Sequence, residues 1–136
     1  MIGAEGIVLA TNTMHKVAPQ IEQAISIPFL HILDATADAI KSRGLNKVAL
    51  LGTKFTMSDN FYRDGLIVRG ITPIVPNEYT QNEIHRIIFD ELCVGKFLPT
   101  SKAFYLKIID ELKSQGAEGV ILGCTEIGLL VNQSDS

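Results

Sequence analysis

The segment Gly116-Ala-Glu-Gly-Val-Ile-Leu-Gly-Cys-Thr-Glu126 has a near copy close to the other end of the chain, Gly3-Ala-Glu-Gly-Ile-Val-Leu-Ala-Thr-Asn-Thr13. At an offset of 113 positions (116 minus 3), both carry Gly-Ala-Glu-Gly, then a short apolar run, then a polar turn. Cys124 falls on Thr11, and Thr125 falls on Asn12. An apolar run of this length, bounded by glycine, reads as a strand buried on both faces in a parallel sheet. A loop, strand and polar turn used twice implies two half-sites facing each other. A reaction with two faces needs that arrangement.

Outward from the repeat, strand and helix patterns alternate. Strands are expected at Gly6 to Ala10, Pro28 to Ile32, Lys47 to Gly52, Ile71 to Val75 and Gly119 to Gly123. Helices are expected at Lys16 to Ile25, at Asp34 to Arg43 with Gly44 as its stop, and at Ser58 to Val68 ending at Gly70. Thr80-Gln-Asn-Glu83 has the form of a capping box, and Ile84, Ile87, Ile88 and Leu92 follow it as one apolar stripe. Thr100 is expected to cap a further helix carrying Tyr105, Ile108, Ile109 and Leu112. Such alternation defines an α/β fold, a parallel sheet with flanking helices.

Bulk properties exclude several functions. The chain has 136 residues, 46% of them hydrophobic, and a net charge of −3, so it carries a core and no basic surface for nucleic acid. No apolar stretch approaches the roughly 20 residues of a membrane helix, and no basic leader precedes the first strand. A cytoplasmic protein is therefore expected, with Cys93 and Cys124 as reduced thiols. Met1 and Ile2 lead at once into the first copy of the repeat. A strand buried on both faces then needs neighbours from elsewhere, which points to a fragment or a partner. No Cys/His spacing resembles a metal site, and the glycines form no nucleotide-binding fingerprint.

In open α/β sheets, sites lie beyond the carboxyl ends of the strands. Three polar turns fall there: Thr11-Asn12-Thr13, Gly52-Thr53-Lys54-Phe55-Thr56 and Cys124-Thr125-Glu126. Their hydroxyls, amide and thiol suit a small carboxylate, with helix-start N–H groups adding anion binding. A buried free cysteine is commonly only a small apolar residue. The repeat and the strand-end position favour function for Cys124, and a helix start lowers a thiol's pKa. Thr11, Asn12 and Thr13 also suit helix capping, which does not exclude ligand binding. His15 and His31 read as turn imidazoles with local hydrogen bonds. Cys93 and His85 are expected on one face of the Thr80 helix, as packing.

Thr11-Asn-Thr-Met-His-Lys16 followed far downstream by Gly123-Cys-Thr-Glu126 resembles the aspartate/glutamate racemase family. The likeness covers essentially the whole chain, including the Thr53 turn and Asp90 to Gly95. The resemblance implies two similar α/β domains with a cleft between them, no cofactor, and an amino-acid substrate. It also implies a cysteine from each domain on opposite faces of the substrate Cα. One thiolate removes the α-proton and the other thiol returns one.

Here Thr11 stands at the first cysteine position, as in the subgroup resembling L-aspartate/glutamate-specific racemases. The resemblance thus assigns catalysis to Cys124, as base toward the L-enantiomer, and to Thr11, directly or through water. It gives substrate binding to Asn12, Thr13, Thr53, Thr56 and Thr125. Some aspartate racemases carry a Lys near the place of Cys93. Relative to the family the chain is expected to be shortened at both ends. Residues 1–33 would belong to the first domain, 34–124 to the second, and 125–136 to a return segment. A homodimer is compatible with this picture. The alternatives are a cysteine-dependent decarboxylase or isomerase of the same superfamily, and an inactive remnant that binds carboxylates or a partner.

Overall fold

Lys47-Val-Ala-Leu-Leu51 is an uninterrupted apolar strand after its lysine, and Val48 to Leu51 are all buried. It forms the centre of a three-stranded parallel sheet. The structure, a computed structural model, describes residues 3–135. Met1, Ile2 and Ser136 lie outside these, including the expected lead of Met1 and Ile2 into the first strand. The strands are β1 (Ile7–Val8), β2 (Phe29–Leu30), β3 (Lys47–Leu51), β4 (Thr72–Ile74) and β5 (Gly119–Leu122). One sheet has the order β4-β3-β5, and β1 and β2 pair separately, every pairing being parallel. The helices are α1 (Ala18–Ala24), α2 (Ile32–Lys41), α3 (Lys54–Ser58), α4 (Asn60–Val68), α5 (Glu78–Asp90), α6 (Pro99–Ser114) and α7 (Ile127–Leu130). The chain is an α/β protein with parallel sheets flanked by helices.

Two apolar layers cover the larger sheet. Ala49 and Leu51 face Ile84, Ile87, Ile88, Tyr105, Ile108 and Leu112 of α5 and α6. Val48 and Leu50 face Leu33, Ala37 and Ile40 of α2 and Tyr62 and Leu66 of α4. Each such side chain contributes about 1.5–3 kcal/mol on full burial, so this sandwich fixes the positions of the β3 and β5 ends. Those ends meet closely. A Cβ on Gly123 would lie 3.1 Å from the Leu51 carbonyl oxygen and 3.1 Å from the Thr56 methyl group. A side chain there would push the two turns and α3 apart by a few tenths of an ångström.

Several local expectations are corrected. α5 begins before Thr80, and Asn77 caps it by accepting the Thr80 N–H at 2.9 Å. Thr80 lies buried inside the first turn, so the capping box does not form there. α6 starts at Pro99 with no side-chain cap, because proline already has a helical φ and no N–H to satisfy. The expected Ser58 helix is two, α3 and α4, divided by Asp59, which caps α4 through Phe61 N–H. Cys93 lies beyond α5 in a short 3₁₀ turn, Leu92–Val94, and not on the His85 helix face.

The first strand is the largest departure. Val8 is 68% exposed and Leu30 is 62% exposed, against the expectation of burial on both faces. β1 pairs only with β2 among the described strands, and this pair is not continuous with the larger sheet. The strand formed as its sequence suggests; the cover over it did not.

The pair is held by the turn that follows β1. His15 is fully buried, and its Nδ1 lies 2.6 Å from the Thr11 carbonyl oxygen. Its Nε2 accepts the Ile32 N–H at 3.0 Å, so the proton sits on Nδ1 and is donated to Thr11. Lys16 adds a bridge to Asp59 at 2.8 Å, which with Phe61 N–H holds the Asp59 carboxyl below its usual range. A depressed carboxyl pKa stabilises the fold above the unfolded value, and this contribution is lost as the pH falls. His15→Ala should lower stability by about 2–4 kcal/mol in urea unfolding, through two orphaned backbone groups and a cavity. A loss below about 1 kcal/mol would show that the imidazole is not what anchors this turn.

Candidate active site

Three strand-end turns converge, and one amide joins two of them. Asn12 Nδ2 donates to the Gly123 carbonyl at 3.1 Å, linking the turn after β1 to the turn after β5. Its Oδ1 accepts from the Tyr62 hydroxyl at 3.0 Å. Tyr62 is buried on α4, and burial pushes its phenol up to about 12, with the nearby Thr36 hydroxyl pulling the other way. The phenol therefore remains a donor, and the amide's orientation follows from that. Thr11 and Asn12 are half-buried and Thr13 is exposed at the start of a 3₁₀ turn. The Thr11 hydroxyl has no hydrogen-bond partner among the described residues, which leaves it open to water or a ligand.

The third turn is more structural than expected. Thr53 caps α3, accepting the Thr56 N–H at 3.3 Å, and the two hydroxyls lie 3.2 Å apart. Thr56 is buried with its methyl against Gly52 and Gly123. Thr53, half-buried, is the member of the pair nearer solvent.

Cys124 is half-buried, and its Sγ donates to Glu126 Oε2 at 2.9 Å. The exposed Thr125 hydroxyl donates to the same oxygen at 2.8 Å. These two donors, with its own backbone N–H, hold the Glu126 carboxyl below its usual range. The thiol moves the other way. Burial pushes it up to about 11, and the adjoining Glu126 carboxylate adds to the rise. The expected lowering by a helix start is therefore corrected. α7 begins only at Ile127 and has four residues, too short and too displaced to offer the sulfur a field. At rest Cys124 is a neutral thiol.

Sequence reasoning named the strand-end residues and missed Glu126 and Tyr62. Glu126 stood in the quoted motif, and its adjacency was a usable signal. Tyr62 comes from α4, and no sequence spacing links it to these turns. A cleft of about 570 Å³ runs along the open side of β5. Neither Thr11, Asn12, Thr53, Thr56, Cys124 nor Thr125 lines it, so volume alone is a poor guide to the chemistry here. Among the described residues no group of three or more His, Cys, Asp or Glu side chains could hold a metal ion. Nor is any helix long and apolar enough to cross a membrane.

The scaffold is thus a parallel α/β protein with a thiol, a hydroxyl and a bridging amide at adjoining strand ends. The Asp/Glu/Hydantoin racemase profile matches residues 2–136, and the chain belongs to that family. A crystal structure of a provisionally named Asp/Glu racemase from Yersinia pestis superposes with a TM-score of 0.94 at 50% identity. It covers 98% of this chain and 59% of its own. An aspartate racemase homologue from Pyrococcus horikoshii gives a TM-score of 0.92 at 42% identity, over 98% and 58% of the two chains. The broad specificity amino-acid racemase of Bacillus subtilis is 26% identical over 134 residues, 98% of this chain and 57% of that one. The chain thus spans a little over half the length of these relatives.

Glu126→Gln, made in a Cys93→Ser background, should bring the Cys124 pKa down by removing a negative charge beside the sulfur. Iodoacetamide should then alkylate Cys124 about three- to tenfold faster at mildly alkaline pH. An unchanged or slower rate would contradict the assigned contact.

Proposed function

We propose that the chain is an amino-acid racemase acting on aspartate or glutamate by proton transfer at the α-carbon, without a cofactor. The observation that carries this is the Asn12–Gly123 bridge, which holds the Thr11 turn against the Cys124 turn. Membership of the racemase family supports the reaction class, and the names of the relatives support an acidic amino acid. In this reading residues 1–33 belong to one half-site, 34–124 to the other, and 125–136 return toward the first.

Cys124 removes the α-proton of the L-enantiomer, and Thr11, or a water it holds, delivers a proton to the opposite face of the carbanion. The thiol must first lose its own proton. The substrate's α-ammonium, arriving beside the sulfur, opposes the burial and the Glu126 charge that keep it neutral. Thr13, Thr53 and the second N–H of Asn12 offer donors for the carboxylates. Thr125 joins them once its hydroxyl turns from Glu126, and buried Thr56 shapes the turn beneath them. Donors aimed at the developing enolate charge lower the barrier. A hydroxyl is a far weaker acid than a thiol, so the two directions are unequal and the D-to-L direction is the slow one.

A neutral resting thiol also suits a proton donor. This favours, as an alternative, decarboxylation of a small malonate, with Cys124 protonating the enolate left after CO2 departs. Release of CO2 from such a malonate would select it. The exposed Val8 and Leu30 favour a third possibility, a carboxylate-binding or interaction module without turnover.

α-Proton exchange in D2O tests the proposal, followed by NMR on L- and D-aspartate and glutamate. The wild type should exchange at least one of them, and Cys124→Ala should lose the exchange by about 10²-fold or more. Exchange that persists in the variant would remove Cys124 from the reaction. A folded wild type that exchanges none would favour the binding module.

A further inference from the structure

His15 and His31 stand together, their ring centroids 4.7 Å apart in an edge-to-face pair, and the Phe29 ring packs on both. Each spends its acceptor nitrogen on the start of α2. His15 Nε2 accepts the Ile32 N–H at 3.0 Å, and His31 Nδ1 accepts the next one, the Leu33 N–H, at 3.1 Å. His15 is fully buried, and its other nitrogen lies 2.6 Å from the Thr11 carbonyl oxygen. Two successive backbone donors of one helix therefore depend on two histidines being neutral. Serine or asparagine at such a position would cap the helix without titrating at all. A proton added to either ring lands on the nitrogen that accepts. An imidazolium has no acceptor, so the N–H it faces is orphaned. The new charge also lies at the positive end of the α2 dipole, beside the second imidazole.

We propose that His15 and His31 form an acid-operated latch on the Thr11 turn. Proton uptake by the pair frees this turn from the start of α2, and the hydroxyl and amide half-site loosens while the β4-β3-β5 sheet stays folded. The groups facing His31 are His15 from the turn, Arg69 at the end of α4, Asp34 on α2 and Glu22 on α1. Arg69 is bridged to Asp34 at 2.6 Å, so these two oppose each other. Burial first, then His15 and Arg69, outweigh Asp34 and Glu22 and hold the His31 imidazole below its ordinary value. Below about pH 6.5 the unfolded chain then binds more protons than the folded one. The latch therefore holds above that pH and yields as the pH falls. The other ties on this turn respond elsewhere. The Asp59 carboxyl of the Lys16 bridge is held below its usual range, so the bridge still stands where the histidines have charged. Asn12 meets only the Gly123 carbonyl and the Tyr62 phenol, whose pKa is pushed up to about 12.

Amide hydrogen exchange by NMR, from about pH 7.5 down to about pH 5, tests the latch across the histidine range. Protection, corrected for the intrinsic rate, should fall by about tenfold or more at Ile32 and Leu33, while Ala49 and Leu50 of β3 keep theirs. In a His15→Gln/His31→Asn protein the amides can donate and accept in the same places without titrating, so protection should stay level with pH. His31→Asn alone, at a cap position that favours asparagine, should keep Leu33 protected at the acid end. Protection at Ile32 and Leu33 that ignores pH in the wild type would overturn the proposal. So would a loss shared by Ala49 and Leu50, which is global unfolding, or an acid loss at Leu33 in His31→Asn as large as in the wild type. The double variant retains His85, which accepts the Lys54 N–H, so a dependence that persists there would assign the effect to His85 and also overturn the latch. No turnover is needed, so the result stands apart from the exchange experiment on Cys124→Ala.

Discussion

The site depends on the turn after β1 being held from three directions by its own side chains. Asn12 reaches the Gly123 carbonyl and receives the Tyr62 hydroxyl, while His15 ties the Thr11 carbonyl to the Ile32 N–H. Leaving a buried donor or acceptor unpaired costs about 1–3 kcal/mol, whereas a made hydrogen bond contributes about half that. The turn is therefore fixed chiefly by what its loss would orphan. The Lys16–Asp59 bridge is at the surface and screened, and it assists without deciding. Thr11, just before Asn12 in the chain, is held at its backbone carbonyl by His15 and left free at its hydroxyl.

On the other side, the sandwich around β3 and β5 places the Cys124 turn. Gly52 and Gly123 let the strand ends close on Thr56, and Cys124 emerges with one side against the core. That burial, more than any neighbour, makes the thiol a weak acid. The two copies of the repeat thus build unequal partners. One offers a thiol half-buried beside the Glu126 carboxylate, and the other offers a hydroxyl without a hydrogen-bond partner among the described residues. In the proposed reaction, the two faces of the carbon are therefore served asymmetrically.

The larger architecture was legible because apolar runs and glycine punctuation are local signals. Lys47–Leu51, Gly119–Leu122 and the Ile84, Ile87, Ile88 stripe all fell where the pattern put them. The Thr11–Asn12 and Cys124–Thr125 turns were legible because the chain repeats them. Caps were less so: Asn77 and Thr80 are both good capping types, and only the backbone decides between them. Ile7–Val8 reads as buried from its composition, but burial depends on what covers a strand, which its own residues do not encode. The thiol's acidity was misjudged because a helix start was assumed where α7 is a single displaced turn. Tyr62 could not be found, since it meets Asn12 from a helix 50 positions away, with several strands and helices between them.

The unequal half-sites are tested most directly by the initial rates of α-proton exchange in D2O from the two enantiomers at saturation. Exchange from L-aspartate or L-glutamate should outrun that from the D-enantiomer by at least tenfold, because in the proposed reaction only the L face meets a thiol. Equal rates, or a faster D-enantiomer, would contradict the account.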